Sequence, residues 1–410
     1  MKLAKLSLAA ITVASLSASA FAADSLAGMF KEGTVNGTLS AYYFSKSGQT
    51  PTSNALYGGA TYDSASILDF GLDLTYKTAS FNGFSAGATV QSTHSPFAND
   101  EAKTMYNGDM YGSGEVFSEA YIQYDNSGFM FKAGRMYLGT PLVASSGSRI
   151  TKDSFEGYLL GYTGLPDTTL VAGYITKWQD RTDGAGNMGT FVNVNTALST
   201  GSDSNGAYTL YAVNKSVPGL TLQAQWAQVV DAVDLYYVQA DYAGKTDSFT
   251  YALAGQFQIT DYDASGVKDS GYYGLKANVG MDAFGLTVAY SKIDSDNDAG
   301  IGLGNGPDPI FTAGTINCGD DYTADEKAYL VQLDYAFNKA TNFNVYYVKA
   351  ETPDSTSTTD DYDAYGAGAD YQFDGALKGL GLVAQYEVKS FSEGTNADDK
   401  RFRFKATYAF

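Results

Sequence analysis

Histidine and cysteine are almost absent from this 410-residue chain, which has one of each, His94 and Cys318. A single cysteine cannot form an internal disulfide, and a single histidine excludes zinc sites that pair histidines. The chain also lacks a phosphate-binding Gly-Lys loop. Nucleophilic catalysis needs a base beside the nucleophile, and the chain offers a single histidine, at the edge of a loop. We therefore expect no catalytic residues and no enzyme activity.

Long apolar runs are also missing, with one exception at the N-terminus, residues 1–22. There, Lys2 and Lys5 precede an apolar run that ends in small residues around Ala22. A charged start, an apolar middle and a small-residue end are typical of a secretory signal peptide. We expect cleavage after Ala22, which leaves 23–410 as a single domain because no linker or composition shift interrupts it.

After the signal peptide, no stretch offers the roughly 18 consecutive apolar residues that a transmembrane helix requires. If the chain crosses a membrane it must do so as a closed barrel, because only helices and closed barrels satisfy every backbone group in lipid. Proline and tryptophan are scarce, at 8 and 2, whereas the chain has 45 glycines, 33 tyrosines and 23 phenylalanines. These abundant residues suit strands, turns and interfacial girdles.

Positive charge is in short supply. The chain has 26 Lys and Arg against 45 Asp and Glu, a net charge of -19, and loss of two lysines with the signal peptide makes it -21. Nucleic acid is therefore not an expected partner. The acidic residues are concentrated in the long connections, which predicts a solvated acidic mouth that repels anions and concentrates cations.

The last ten residues alternate between apolar and polar side chains. The apolar set is Phe402, Phe404, Ala406, Tyr408 and Phe410, and the residues between them are cationic, polar or small. Successive strand residues point to opposite faces, so one face contacts lipid and the other a wet lumen. An edge strand of a soluble sandwich is the alternative. The aromatic end, Tyr408 and Phe410, resembles the assembly signal that the outer-membrane barrel assembly machinery reads.

The same alternation recurs along the chain in about eighteen strands, an even number as single-chain barrels require. Long and short connections alternate, with long ones near 94–115, 136–153, 179–206 and 294–325. This pattern predicts an all-β fold, a transmembrane antiparallel up-and-down β-barrel with periplasmic termini. Barrels of this size leave an aqueous channel. The polar inner positions predict an open lumen, because a lumen filled with protein would need apolar inner residues.

Trp178 and Trp226 both fall on the outward side of this alternation, near upper strand ends. Aromatic side chains at that depth commonly form an interfacial girdle. We therefore expect both indoles to face lipid rather than to stack on a ligand.

A set of short motifs resembles the OprD-type outer-membrane porins. The motifs are Phe30-Lys31-Glu32-Gly33, Gly134-Arg135, Gly147-Ser148-Arg149-Ile150-Thr151, Ser154-Phe155-Glu156-Gly157 and Leu165-Pro166-Asp167-Thr168. The resemblance implies an eighteen-stranded pore in a Gram-negative outer membrane, narrowed by loops that fold inward. It also implies passive diffusion of ions and small hydrophilic solutes, favouring small carboxylates or cationic solutes.

The expected partners are outer-membrane lipid and lipopolysaccharide, the barrel assembly machinery, and small solutes and ions. Likeness to general porins of the same strand number implies a homotrimer. A structural or adhesive outer-membrane barrel with an occluded lumen stays open as the alternative function. Channel conductance separates the two.

The connection 136–153 is the expected constriction loop, because it is apolar enough to fold inward. Arg149 in this loop matches the Ser-Arg motif of the family and would present a planar donor for carboxylates in the eyelet. Glu156, at the start of the next strand, is assigned to the same constriction. The alternative is a rim arginine that pairs with Glu156 or Asp153 for structure.

A second set of cations falls on the inner parity of the last strands: Lys389, Arg401, Arg403 and Lys405. Residues two apart on one strand lie about 7 Å apart, so the last three form a basic ladder along the wall. Such a ladder would bind a passing anion at each cation in turn along the pore. The alternative is charge balance against acidic residues of the lumen.

Eight other charged residues are assigned to the pore lining by the same parity. They are Asp69, Asp73, Lys77, Lys132, Lys276, Asp334, Asp370 and Glu387.

Acidic clusters in the connections raise the question of metal binding. Asp294, Asp296 and Asp298 have the spacing that begins a calcium loop, but Ala299 replaces the turn glycine and Asn305 the last ligand. The segment is therefore not an EF-hand. A structural calcium between loops is a weak expectation, no other cofactor is expected, and a solvated acidic surface is the alternative.

Overall fold

The computed structural model describes residues 23–48, 51–201, 206–307, 309–352, 361–392 and 397–410. The predicted signal peptide, residues 1–22, lies outside the described residues. The described chain forms one antiparallel sheet that closes into a barrel of eighteen long strands. This confirms the predicted fold class and strand number.

The strands are numbered here in chain order along the barrel wall. Their bounds are β1 Thr34–Ser47, β2 Ala65–Lys77, β3 Phe84–His94, β4 Gly114–Asn126, β5 Phe129–Met136, β6 Ser154–Tyr162, β7 Thr168–Gln179, β8 Ala207–Asn214, β9 Leu220–Val229, β10 Val233–Lys245, β11 Thr250–Tyr262, β12 Ser270–Met281, β13 Phe284–Ile293, β14 Lys327–Ala336, β15 Thr341–Glu351, β16 Tyr362–Gln372, β17 Leu380–Phe391 and β18 Asp399–Ala409. A further segment, Phe191–Asn193, pairs with the end of β7, and Thr52–Ser53 pairs with Thr61–Tyr62 outside the barrel.

The first and last strands close the barrel. β1 pairs with β2 along one edge and with β18 along the other, where Thr38 lies opposite Ala409. The pairing continues one residue further, since Phe410 N–H donates to Gly37 O (3.0 Å) and Gly37 N–H donates to Phe410 O (2.9 Å). Closure leaves no free sheet edge in the lipid, where an unpaired backbone group would be costly.

Short turns lie at one end of the barrel, and the long loops lie at the other, where residues 230–232 form the one short connection among the described residues. Two of the short turns place consecutive residues in the left-handed region: Asn82 and Gly83 (φ 52° and 86°), and Ser127 and Gly128 (φ 50° and 86°). Such turns match the right-handed twist of paired strands. In transmembrane β-barrels the short turns face the periplasm, and both ends of the barrel chain lie at this end, as the sequence predicted.

Outward side chains are apolar along the strands, as the alternation predicted. Examples are Leu39, Phe131, Leu210, Leu333 and Phe404, all exposed. Among the described residues, no helix has the length and apolar character to cross a membrane.

The helices are short and are not part of the barrel wall. α1 spans Leu26–Lys31, α2 Asp100–Tyr106 and α3 Val194–Ala197, with single 3-10 turns at Ala55–Tyr57 and Gly375–Leu377. Asn99 caps the N-terminus of α2, because its side chain accepts a hydrogen bond from Ala102 N–H. The first turn of α2 carries acidic residues, which the helix dipole favours. This helix opens a segment that packs inside the barrel mouth.

A β-bulge reverses the facing of Trp178. The register between β6 and β7 shifts at Glu156 and Gly157, where Thr176 is the extra residue. Beyond the bulge, Trp178 turns inward, is 9% exposed, and its Nε1–H donates to Asp153 Oδ2 (3.0 Å). The prediction of an outward Trp178 is therefore wrong, because one extra residue flips the parity of everything above it. Trp226 lies on the outward face, as predicted, opposite Leu210 and Tyr236.

Candidate constriction site

The loop 137–153 crosses the lumen. Near its start, Leu142 N–H donates to the side chain of Gln225 on β9 (2.8 Å). Further along, the Tyr42 hydroxyl on β1 donates to Ser148 O (2.9 Å). Because β1 and β9 lie on different sides of the closed sheet, the loop spans the barrel and narrows it.

A second loop, 294–326, packs against the first. Leu303 N–H donates to Leu142 O (2.8 Å), and Ala144 N–H donates to Leu303 O (3.1 Å). Leu142, Val143 and Leu303 are at most 2% exposed. They belong to an apolar cluster that includes inward side chains of the upper wall, such as Tyr237. The expectation of a polar inner face throughout is therefore wrong for the upper lumen, where loops cover apolar wall positions.

Arg149 in the crossing loop is bound to a carboxylate that the sequence did not suggest. Its Nε–H donates to Asp109 Oδ1 (2.6 Å), and Asp109 also pairs with Lys46 (3.1 Å) and Arg181 (3.8 Å). All four side chains are less than 20% exposed. Burial alone would raise the pKa of Asp109, but the charges of Arg149, Lys46 and Arg181 outweigh it and hold the pKa below its ordinary value. Arg149 therefore fastens the loop to the mouth segment that follows α2.

Asp153, the partner considered for Arg149, has another role. It accepts from Ser146 N–H (2.6 Å), from the Trp178 indole (3.0 Å) and from Asn305 N–H (2.9 Å). Burial raises the pKa of Asp153, although these hydrogen bonds oppose the rise. The carboxyl joins both inward loops and the bulged strand β7.

Glu156 does not lie at the constriction. It shares the outward face of β6 with the exposed Tyr158 and pairs with Arg135 of β5 (3.1 Å) and Lys177 of β7 (2.9 Å). The assignment to the pore is corrected for a simple reason. Glu156 and Tyr158 have the same parity, so a strand that exposes one to lipid exposes the other.

The basic ladder has its three members on the inner face of β18, but they differ in their partners. Arg401 pairs with Asp399 (2.7 Å). Arg403 is 7% exposed and donates to Thr315 O of the loop 294–326. Lys405 is half-buried and, within the described ranges, forms no ion pair; its Nζ lies 3.5 Å from Gly147 O and 5.5 Å from the centroid of the Tyr42 ring.

Lys389, assigned to the same ladder, is covered by the loop 294–326. It is 7% exposed, and its Nζ lies 3.1 Å from Asp321 Oδ1 and 3.8 Å from the centroid of the Tyr362 ring. It holds the loop to the wall and does not face the open lumen.

Five of the other assigned residues are half-buried on the inner face: Asp73, Lys77, Lys132, Asp334 and Asp370. Lys132 Nζ lies 3.7 Å from the Tyr121 ring centroid. Asp334 accepts from Gln332 (2.8 Å), and Asp370 accepts from Asn342 (2.9 Å).

Three other assigned residues are close to the inward segments. Lys276 Nζ lies 4.0 Å from the Phe311 ring centroid, while Asp69 and Glu387 are fully buried. Glu387 Oε2 accepts from the Tyr346 hydroxyl (2.5 Å), and the Cys318 thiol lies 3.3 Å from the same oxygen. Burial, reinforced by the Glu387 charge, raises the pKa of Cys318. Cys318 thus lies where the loop 294–326 packs against the inner face of β17.

The half-buried charges beside the crossing loop include Lys405, Lys152, Asp73 and Glu119. Both lysines interact electrostatically with the Asp73 carboxylate. Glu119 accepts from Tyr137 N–H (3.3 Å) and also interacts electrostatically with Lys152. Lys152 Nζ lies 4.0 Å from the Tyr137 ring centroid, and among the described residues it has no ion pair. These four groups form the eyelet charge set, with two cations and two carboxylates.

The proposed assembly signal occupies the closing seam. Phe410 stacks on Tyr408 with ring centroids 6.1 Å apart and is 54% exposed on the outward face. Its ring lies over Gly37, where an added Cβ would fall 2.2 Å from a ring carbon. Glycine is needed at this position because of that close approach.

The three acidic residues of the weak calcium prediction are not gathered around one point. Asp294 accepts from Asp296 N–H, Asp296 pairs with Lys268 (2.6 Å), and Asp298 accepts from Ala324 N–H. In the part of the chain that the structure describes, no three His, Cys, Asp or Glu side chains are placed to hold a metal ion. A loop calcium stays a prediction.

Comparisons with known proteins agree with this architecture. A family model described as outer membrane porin, OprD family, matches residues 69–410. Porin D of Pseudomonas aeruginosa is 25% identical over 299 residues, which cover 68% of this chain and 64% of Porin D. The aligned part is thus less than two thirds of that relative.

Solved structures share the fold. OccAB4 of Acinetobacter baumannii superimposes with a TM-score of 0.77 at 16% identity, covering 92% of this chain and 98% of OccAB4. OpdK of Pseudomonas aeruginosa gives a TM-score of 0.76 at 14% identity, covering 93% and 100%. OpdK has also been solved with vanillate.

Proposed function

This chain belongs to the OprD family of outer membrane porins, and from that premise we propose that it is a passive channel favouring small carboxylates. Its location is the outer membrane of a Gram-negative bacterium. Ions and small hydrophilic solutes diffuse through the eyelet beside the loop 137–153, and no catalytic step is involved.

The observation that carries the carboxylate preference is the two lysines of the eyelet charge set, Lys405 and Lys152. Most cations near the constriction are already ion-paired, as Arg149 is with Asp109. The two lysines are half-buried and have no ion partner within the described ranges. An ammonium group in a narrow, poorly screened passage attracts a passing carboxylate more strongly than the same group in open solvent.

Two further points support this proposal. Vanillate, which is bound in a structure of the fold neighbour OpdK, is a small carboxylate. The acidic loops enrich cations at the mouth in dilute salt, but that effect is screened beyond about 8 Å at physiological ionic strength. We therefore expect cation preference in dilute salt to weaken in concentrated salt, where the contribution of the lysines emerges.

The test is reconstitution of the purified chain in planar bilayers. Stepwise single-channel conductance is expected, and reversal potentials under gradients of potassium chloride and potassium acetate should shift between two salt concentrations. A barrel that inserts but shows no conductance steps would favour the alternative, a structural or adhesive barrel with a closed lumen. A conducting pore with salt-independent selectivity would contradict the carboxylate preference alone.

The partners are part of the same proposal. The assembly machinery is proposed to read the final strand, whose end at Tyr408 and Phe410 is outward and accessible. A homotrimer is proposed by likeness to general porins, and native mass measurement of the folded protein tests it. Lipopolysaccharide is the proposed outer-leaflet partner.

A further inference from the structure

Three charged side chains face outward at the long-loop end of β5, β6 and β7. Arg135 and Lys177 each pair with Glu156, at 3.1 Å and 2.9 Å. The exposed fraction of the side chain is 35% for Arg135, 39% for Lys177 and 25% for Glu156. Charge on the lipid side of a barrel is costly at mid-membrane and tolerated near the interface. Two cations against one carboxylate leave this outward cluster with one excess positive charge.

The cluster is held in a fixed arrangement. The Arg135 guanidinium lies 4.2 Å from the centroid of the Phe191 ring, and its Nη1–H donates to Phe117 O (3.3 Å). Phe191 belongs to the segment that pairs with the end of β7. A guanidinium fixed by a ring, a carbonyl and a carboxylate loses little conformational freedom when it binds an anion.

An apolar groove runs down the outer wall below these charges, toward the short-turn end. Its walls include Leu160, Leu210, Trp226 and Val238, and Ala212 forms part of its floor. Between the groove and the charges, the rings of Tyr174 and Tyr208 stack with centroids 4.7 Å apart. Charges, aromatic rings and apolar groove thus follow one another down the same strands.

We propose that this outer surface is a binding site for lipopolysaccharide, with a phosphate on Arg135 and Lys177 and an acyl chain in the groove. The order of chemistry matches that of the lipid: anionic headgroup at the long-loop, outer-leaflet level and hydrocarbon below it. Guanidinium and ammonium groups bind phosphate through charge-assisted hydrogen bonds. A neighbouring copy of this chain is a poorer occupant, because an interface centred on the cluster, around a two-fold or a three-fold axis, would bring the positive patches of the copies together.

The test uses the full mature chain folded in detergent and native mass spectrometry, with purified bisphosphorylated lipid A as the probe. The same lipid with its phosphates removed measures the headgroup contribution. The native protein is expected to bind the phosphorylated lipid one to one, about tenfold or more tighter than the dephosphorylated lipid. The double variant Arg135→Gln/Lys177→Gln should lose that preference.

The matched control is Lys215→Gln/Lys378→Gln, which removes the same charge from exposed turns at the opposite end of the barrel. It should bind both lipids as the native protein does. A third variant, Ala212→Phe, fills the groove without changing charge and should weaken binding of both lipids. The folded state of each variant is checked by its heat-sensitive migration in SDS gels.

The proposal is overturned if the native protein does not distinguish the two lipids, or if the cluster variant, shown to be folded, keeps the preference. It is also overturned if Ala212→Phe changes the oligomeric mass while lipid A binding stays unchanged, since the groove would then be a protein interface. Because no readout involves conductance, failure here is separate from failure of the proposed channel function.

Discussion

Lys405→Gln is the substitution that most directly tests how the eyelet recognises solutes. The three inner cations of β18 are equivalent by parity, yet Arg401 is neutralised by Asp399 and Arg403 is buried against the carbonyl of Thr315. Lys405 alone of the three keeps a half-exposed charge without an ion pair in the described part of the chain. Most of the anion attraction of the ladder should therefore come from this one residue.

The size of the effect follows from Coulomb's law. A carboxylate 4 Å from an ammonium gains about 1 kcal/mol in bulk water and about 4 kcal/mol at the effective dielectric of a protein surface. The eyelet is wet, and Asp73 offsets part of the field of Lys405, so we take the lower figure. Loss of about 1 kcal/mol corresponds to about a fivefold fall in carboxylate permeability.

The assay is the reversal potential under a potassium acetate gradient, measured with single-channel conductance in potassium chloride. Lys400→Gln is the matched control, because Lys400 is exposed on the opposite face of the same strand and loses the same charge. Arg401→Gln should have a smaller effect than Lys405→Gln. If Lys405→Gln and Lys400→Gln shift the reversal potential equally, or neither shifts it, the reasoning from the eyelet charge set is refuted.

Three other changes have defined outcomes. Asp109→Asn leaves three mostly buried cations without their carboxylate, which should destabilise the attachment of the loop 137–153 by about 3 kcal/mol. We expect faster proteolysis within the loop and noisier single-channel conductance. Unchanged proteolysis would contradict this. Burial raises the pKa of Glu326 from 4.5 to about 8, so the folded state binds the proton more tightly and stability falls as pH rises from about 4.5 to about 8. Hydrogen-exchange protection factors in the loop 294–326, which are corrected for the intrinsic rise of exchange with pH, should be lower at pH 8 than at pH 5. Glu326→Gln should weaken that dependence, and an equal response in the variant would sink the assignment. Deletion of Phe410 removes the two backbone hydrogen bonds that join Phe410 to Gly37 of β1. The amount of this protein in the outer membrane should fall while its secretion across the inner membrane is unaffected. A normal amount in the outer membrane would exclude a role of Phe410 in assembly.

The strand pattern was predictable because alternation is a local property. The inward facing of Arg401, Arg403 and Lys405 follows from the apolar residues between them, and the structure places all three on the inner face. Trp178 was not predictable in this way. The bulge at Thr176 is defined by pairing with the neighbouring strand, and a single strand's sequence does not contain its partner's register.

The site was harder to predict because its contacts are distant in sequence. The Ser-Arg motif indicated Arg149, but its carboxylate partner, Asp109, is 40 residues away and lies in a loop without periodicity. Glu156 is a different case. Its spacing of two and four residues from Tyr158 and Leu160 already indicated the outward face. The assignment of Glu156 to the constriction followed the family motif instead of this spacing.

The crossing loop makes the barrel a braced ring. A closed wall of strands without a cross-member can flatten when the surrounding membrane presses on it from the side. Here a backbone segment is bonded to Gln225 on one wall and Tyr42 on another, eight strands away in an eighteen-strand ring. Because packed elements resist deformation, the length of this loop segment sets the distance between the two walls and thus the width of the lumen. The width open to solutes should then change little when bilayer thickness or lateral pressure changes, although both alter the load on the outer wall.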